Sequence, residues 1–400
     1  MKEAIAQIVQ RMGELGLNKT ERVATEDGLH RILAEDIVAP EDMPAFRKST
    51  MDGYAVQSKA TGGATEAIPS VLEVVEKIPM GEIPKSAISS SQASIISTGG
   101  MLPEGSDGVV PVEYTEQINE DLVGIYKPIS YLENVVEVGE DTKQGFLYFK
   151  KGARVTPQVI AACMSLGIVE LEVYKKLTAR TISTGDEIVP PGEKLPMAKA
   201  RDVNSYSIRA MLEKLGCDVV ERKHVEDQRD LLAAELTKKD VDLIVISGSS
   251  SKGEKDYVPT ILEEDLNPGL HFQGISIKPG KPTSFATDDR KMVVGLPGHP
   301  VSAMAVFQTI FIAAFHEFYG MEDLVAIPCR IDQNVSATLG RSKIQFVSAQ
   351  KTEDGWTCKP IFGASGNLST LAKANGYFVI PAEHEGVNKD QVVDVYLFTI

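Results

Sequence analysis

Residues 292–319 read "MVVGLPGHPVSAMAVFQTIFIAAFHEFY". A short apolar run of strand length meets a glycine–proline turn, and a helix starts with Pro300 at a position where its missing N–H costs nothing. The helix is apolar nearly all round, which predicts a buried place in its domain or at a subunit contact. Working back along the chain, the same alternation repeats. Strand-like "LTARTIST" (177–184) precedes helix "NSYSIRAMLEKLG", whose Ile208, Met211, Leu212 and Leu215 share one face. Strand "CDVVERKHV" precedes helix "QRDLLAAELTKKD", and strand "VDLIVISG" precedes helix "YVPTILEEDL". Strands alternating with helices over 177–319 predict a doubly wound, Rossmann-like α/β unit built on a parallel sheet with helices on both faces.

The flanks read differently. Residues 66–130 carry short β-rich runs, "SVLEVVEKI", "ASIISTG" and "DGVVPVEY", between Gly/Pro/Ser turns. Residues 325–400 are β-rich again and predict a small barrel or sheet. Ile5, Ile8, Val9 and Met12 share a helical face of the dimer-seam or core type, and residues 153–170 read as helical with Gly167 as a stop. Four domains are expected: 1–44 with 137–174 as an elongated helical/β N-terminal part for dimerisation; 45–136 as a small β-rich domain; 175–323 as the α/β domain; and 324–400 as a β-barrel-like domain. A chain of 400 residues exceeds what one core usually holds.

The formal net charge is -15, from 41 basic and 56 acidic side chains. Such a surface repels phosphate backbones and anionic lipid heads, so neither nucleic acid nor membrane is an expected partner, and an anionic ligand needs a local basic pocket or a bridging cation. The four cysteines are widely spaced with no C-x-x-C pair, which suits reduced thiols in a cytosolic protein. The first residues show no secretory leader, and no apolar run reaches the roughly 18 residues of a membrane span, so a cytoplasmic location is expected.

In a doubly wound sheet, ligands bind beyond the carboxyl ends of the strands. Four loops leave at that edge. The first holds Thr184, Gly185, Asp186 and Glu187; the second holds Asp227; the third holds Ser249, Ser250, Ser251, Lys252 and Asp256; the fourth holds Gly298, His299 and Pro300. The third loop could cradle a phosphate on its N–H and hydroxyl groups, although it lacks the G-x-x-x-x-G-K-[ST] order of a nucleotide P-loop and could be a plain turn. Asp227 could simply cap a helix. Three acids after three successive strands, Glu187, Asp227 and Asp256, nevertheless form an oxygen-only set of the kind that suits Mg²⁺ shared with substrate phosphates. "SIKPGKPTSF" stiffens Lys278 and Lys281 between prolines, as an anion clamp or as a solvated turn. His299 fits either a helix cap or a ligand contact, and the other five histidines form no metal-spaced set.

Taken together these stretches resemble the MoeA-type molybdopterin molybdotransferases, the molybdenum insertase family whose domain also occurs at the C-terminal end of gephyrin. The matching segments are "PAFRKSTMDGYAV", "IISTGGMLPEGSDGVVPVE", "VGED", "STGDEI", "DVNSYSIRAMLEKLGCDVV", "SGSSSKGEKD", "IKPGKP", "GLPGHPVSA", "GRSKIQF" and "FGASGNLSTLAKANGYFVIP", in order over nearly the whole chain. The resemblance implies a MogA-like sheet domain and Mg²⁺-dependent insertion of molybdate into adenylylated molybdopterin with release of AMP. It also implies a homodimer with a composite site, in which the partner's "MDGYA" segment faces the pterin pocket and Gly53 permits a tight approach. By position, Asp52, Thr98, Glu187, Asp227 and Asp256 are the implied catalytic residues, and the last three the implied metal ligands. Asp141, Gly185, Asp186, Ser249, Ser250, Ser251, Lys278, Lys281, Pro297, Gly298, His299, Pro300, Arg341 and Ser365 are the implied binding residues. An adenylyltransferase of the same pathway and apo-molybdoenzymes are implied partners.

Four departures stand out: "GSSSKG" for the family's "GGVSVG", "GLPGHP" for "GLPGNP", "DVN" for "DSN", and "RKSTMDG" for "DNSAMDG". A pterin-binding carrier without catalysis, a tungstate-specific insertase, and an enzyme that cleaves free dinucleotides are the alternatives.

Overall fold

The computed structural model describes residues 1–248, 257–322 and 324–398. The chain folds as two compact units, one of residues 36–150 with 162–168, the other of residues 1–35, 151–161 and 169–400.

The smaller unit is built on a six-stranded sheet in the spatial order Gly108–Pro111, Gly53–Val56, Gln92–Ile96, Ser70–Ile78, Leu122–Ile125, Thr115–Gln117. All neighbours run antiparallel except Ser70–Ile78 beside Gln92–Ile96. Tyr54, Val56, Leu72, Val110, Val123 and Ile125 form its core. Gly53 is explained inside this sheet. It sits opposite Pro111, and a Cβ added there would overlap the carbonyl oxygen of Val110. Cross-strand packing within one unit therefore requires the glycine, whatever approaches from outside.

The larger unit contains the α/β sheet. Its strands are β1 (Thr178–Thr184), β2 (Asp218–Val225), β3 (Leu243–Ser247), β4 (Gly269–Gln273), β5 (Ser284–Thr287) and β6 (Met292–Leu296), and its helices are α1 (Asn204–Leu215), α2 (Arg229–Leu236), α3 (Tyr257–Glu264) and α4 (Pro300–Val306). The order is β2-β1-β3-β6-β5-β4. The four strands at one side are parallel, as alternation predicts, but β5 runs antiparallel to both of its neighbours, β6 and β4. The sheet is thus mixed: residues 267–291 form an edge hairpin with no helix between its strands, which strand–helix counting cannot show.

The chain continues from α4 through a π-helical turn, Phe307–Phe311, into helix Ile312–Tyr319. This run, Pro300–Tyr319, is long and apolar enough to cross a membrane, yet 67% of its apolar window is buried inside the fold. Phe307, Ile310 and Phe311 pack with Leu243, Val245, Phe285 and Val294 of the sheet. The N-terminal helix Lys2–Glu14 buries Ala4, Ile8 and Met12 in the same cluster, which settles its apolar face as core within the subunit.

Two sequence expectations need correction around residue 160. The helix there is confined to Pro157–Ser165, and Glu170–Tyr174 is a strand antiparallel to Thr20–Ala24. Gly167, at φ +71°, stops the helix as expected.

Residues beyond 325 form a closed five-stranded barrel: Ser342–Thr352, Gly355–Pro360, Ala326–Ile331, Val392–Leu397 and Gly376–Ile380, which returns to Ser342–Thr352. Segment Ile277–Lys278, which follows β4, adds to this barrel in parallel beside Ser342–Lys343.

Candidate functional site

Strand β1 is flanked by β2 on one side and β3 on the other, so the chain reverses its direction of winding at β1. That is the switch point where such sheets bind ligands. A cleft of about 1410 Å³ opens there, lined by the ends of β1, β3 and β6 together with residues of the barrel.

Glycines let these strand ends converge. Gly248, directly after β3, has φ +126°, and a Cβ on it would overlap the carbonyl oxygen of Thr184 at the end of β1. Gly298, after β6, is packed against Gly248: a Cβ there would meet the Gly248 Cα at 3.4 Å. Gly185, at φ +140°, leaves room for the Glu187 carboxylate, and a Cβ would sit 2.7 Å from Glu187 Oε2. That bare backbone positions Glu187 at the cleft.

The charge of the cleft opposes that of the chain. Lys278, Lys281, Arg341, Lys343 and Arg201 line it, against Glu187 and Asp202. Lys278 and Lys343 are direct partners in the parallel register. Like charges placed opposite each other are destabilising, and the Lys343 amine is in addition tied to the Ser336 carbonyl, to which it donates at 2.9 Å. Burial, followed by the nearby Lys278, holds the Lys343 amine below its ordinary pKa. Pro279, Gly280 and Pro282 shape the Lys278–Lys281 segment, and a Cβ on Gly280 would overlap the Val306 side chain.

The polar floor is well ordered. Asp202 is buried and accepts hydrogen bonds from Ser183 Oγ at 2.8 Å, from the Ser205 N–H at 3.1 Å and from the Ser205 hydroxyl. Asn204 Nδ2 donates to the Gly298 carbonyl at 2.8 Å. Its Oδ1 and the Thr184 hydroxyl are buried with no partner among the described residues. Buried polar atoms are rarely left so, and both belong to residues lining the cleft. His299 Nδ1 and Ser365 Oγ lie 2.9 Å apart on its wall.

Of the residues expected from the sequence, the cleft collects Glu187, Lys278, Lys281, Pro297, Gly298, His299, Pro300, Arg341 and Ser365. Gly185 and Asp186 stand beside it in the turn after β1, and Asp227 follows the end of β2, whose Val225 pairs with Thr184. The N-cap position of α2 is Gln228, the residue after Asp227. Ser249, Ser250, Ser251, Lys252 and Asp256 lie outside the described residues. Asp52, Thr98 and Asp141 belong to the smaller unit. There Asp52 Oδ1 accepts from the backbone N–H of Thr98 at 2.8 Å and from its hydroxyl at 3.3 Å, while the Asp141 N–H donates to Met43 O. Sequence reasoning missed Lys343, Asp202 and Asn204. All three lie in quoted motifs, "GRSKIQF" and "RDVN", but only the pairing of strands far apart in sequence places Lys343 beside Lys278.

The N-terminal residues 1–167 match the MoeA N-terminal region (domain I and II), residues 180–317 match a "Probable molybdopterin binding domain", and residues 330–398 match the MoeA C-terminal region (domain IV). A molybdopterin molybdenumtransferase of Staphylococcus aureus strain Mu50 is 31% identical over 99% of this chain and 95% of its own length. One from Haemophilus influenzae is 30% identical over 95% and 94%. The chain belongs to the MoeA family. Two crystal structures of molybdopterin biosynthesis MoeA proteins from Pyrococcus horikoshii align with TM-scores of 0.84 and 0.79. They are 32% and 27% identical and each covers 99% of this chain. As a member of that family the chain is a transferase.

Proposed function

We propose that this MoeA protein acts in molybdenum cofactor biosynthesis by inserting molybdate into adenylylated molybdopterin, with Mg²⁺, and releasing AMP. The observation that carries the reading is a cleft rich in lysine and arginine at the switch point of a sheet in a chain of net charge -15. A protein of that charge gathers cations in one place when the ligand is anionic. An adenylylated pterin and molybdate both are.

Lys278, Lys281, Lys343 and Arg341 would hold phosphate and oxyanion, and their charge would favour the negative charge that develops as the phosphoanhydride breaks. Asn204 Oδ1 and the Thr184 hydroxyl offer hydrogen bonds to the pterin. The amide oxygen can only accept and the hydroxyl can donate as well as accept, and this pair would orient the pterin against β1. Among the described residues no three metal-binding side chains cluster. Two carboxylates from adjacent strand ends, Glu187 and Asp227, are nonetheless a fitting oxygen donor set for Mg²⁺, which retains waters and takes further ligands from phosphates. Bound there it would polarise the phosphoanhydride.

The Asp52–Thr98 pair would complete the site from the partner of a cytoplasmic homodimer, and an adenylyltransferase and apo-molybdoenzymes would be the upstream and downstream partners. Asp52→Ala and Glu187→Ala should each reduce molybdenum insertion by at least a hundredfold, on the scale of losing one electrostatic contact to a transition state. Thermal unfolding should be nearly unchanged. Full insertion activity in both variants would remove these two residues from the mechanism.

A further inference from the structure

His299 stands at the cap position of α4, where a short polar side chain would accept from the first-turn N–H groups, yet its side chain makes no capping bond. Its Nδ1 instead lies 2.9 Å from Ser365 Oγ. Backbone holds the pair together from both sides. The Val301 N–H donates to the Ser365 carbonyl at 3.2 Å, and Asn204 Nδ2 fixes the Gly298 carbonyl at 2.8 Å. A Cβ at Gly366 would touch His299 Cδ2 at 3.7 Å. Imidazole and hydroxyl both face the cleft that holds the lysines.

We infer that His299 is a positioning residue that makes oxyanion binding in this cleft proton-linked. This rests on the cleft being the oxyanion site. When Nδ1 carries no proton it accepts the Ser365 O–H, and the serine shows only lone pairs to the cleft. In the imidazolium both ring nitrogens carry protons, so Nδ1 donates to Ser365 Oγ, and the hydroxyl hydrogen is free to donate to an anion. The same proton adds a positive charge to the wall. A tetrahedral oxyanion therefore binds the protonated form better, and by linkage its binding takes up a proton from solvent.

The loop 361–367 that carries Ser365 has no charged residue. Among the described residues, the charged side chains lining the cleft are Lys278, Lys281, Arg341, Lys343 and Arg201, with Glu187 and Asp202. Lys343, whose amine is held low by burial and by Lys278, is the competing source of a proton-linked signal. Variants at His299 separate the two.

The test is calorimetric titration of the full chain with molybdate, and separately with sulfate, in buffers of different ionisation enthalpy at mildly acidic to mildly basic pH. The wild type should take up close to one proton with either anion, since Ser365 meets an oxygen in both, and affinity should fall by roughly tenfold for each pH unit over which a full proton is taken up. His299→Asn keeps an amide that can bond Ser365 but cannot take the proton; it should bind with the uptake abolished and the pH slope flat. His299→Gln is the second variant should the asparagine protein fold poorly. Undiminished uptake in both variants would assign the proton to another group and overturn the inference, as would binding to the wild type without uptake. Failure of the wild type to bind either anion would instead overturn the reading of the cleft itself, and this inference with it.

Discussion

Lys278 and Lys343 face each other across a parallel pair of strands that joins the segment after β4 to the barrel. Their repulsion is a standing cost to the empty protein and an asset once an anion lies between them. Lys343→Ala should therefore weaken molybdate binding by about tenfold, the scale of one charged hydrogen bond, while changing the stability of the unliganded protein by less than about 1 kcal/mol, because relief of the repulsion offsets loss of the bond to the Ser336 carbonyl. Calorimetry and thermal unfolding on the same sample read both. Weaker binding together with a clear loss of stability would mean that the lysine is structural. Gly53 makes the opposite case, since its role is packing. Gly53→Ala must push a Cβ against the Val110 carbonyl, so the smaller unit should lose about 1–3 kcal/mol, measured by urea unfolding. The dense motif "RKSTMDGYA" shows both kinds of residue side by side: an acid bonded to Thr98, and a glycine that the sheet requires.

At the level of elements, the turn that joins β5 to β6 holds a buried ion pair. Lys291 is fully buried, and its amine is bonded to Asp288, whose carboxylate also accepts the N–H groups of Arg290 and Lys291 at 2.8 and 2.9 Å. Burial alone would push the Asp288 carboxyl up, but the bonds from Lys291 and the two amides outweigh it and hold it below its ordinary range. A carboxyl with a lowered folded pKa contributes stability that is present above the unfolded value and is lost as pH falls through the folded one. Lys291→Met leaves the aspartate buried without its cation and should cost about 3 kcal/mol at neutral pH. Because the charged carboxylate is then the penalised form, mild acid should narrow the difference from wild type in a pH series of denaturant unfolding. An unchanged difference down to acid pH would argue against the pair. The neighbouring edge hairpin β4–β5 is where strand–helix alternation failed as a guide. Period and turn signals placed β1 to β3, β6 and their helices, because each burial face has a regular spacing, although α2 ends at Leu236, four residues before the expected end. They gave no sign that β5 runs against both of its neighbours, since direction is set by a connection and leaves no periodic trace.

For the whole molecule, charge and ordering carry the account. An acidic chain presents a basic cleft at the one edge of its sheet where winding reverses, and the barrel supplies Arg341, Lys343 and Ser365 to the wall. The strand-end loops and nine of the cleft residues were legible in sequence, because glycine, proline and charge mark them locally. Lys343, Asp202 and Asn204 were not singled out, because their roles come from neighbours 65, 19 and 94 positions away: Lys278, Ser183 and Gly298. The central claim is that this arrangement couples oxyanion insertion to cleavage of an adenylylated pterin. It is tested most directly by measuring AMP release from adenylylated molybdopterin with Mg²⁺, with and without molybdate, and again with tungstate. The account predicts AMP release that requires molybdate and disappears on removal of Mg²⁺. Tight pterin binding with no AMP under any of these conditions would contradict it and leave the chain a carrier.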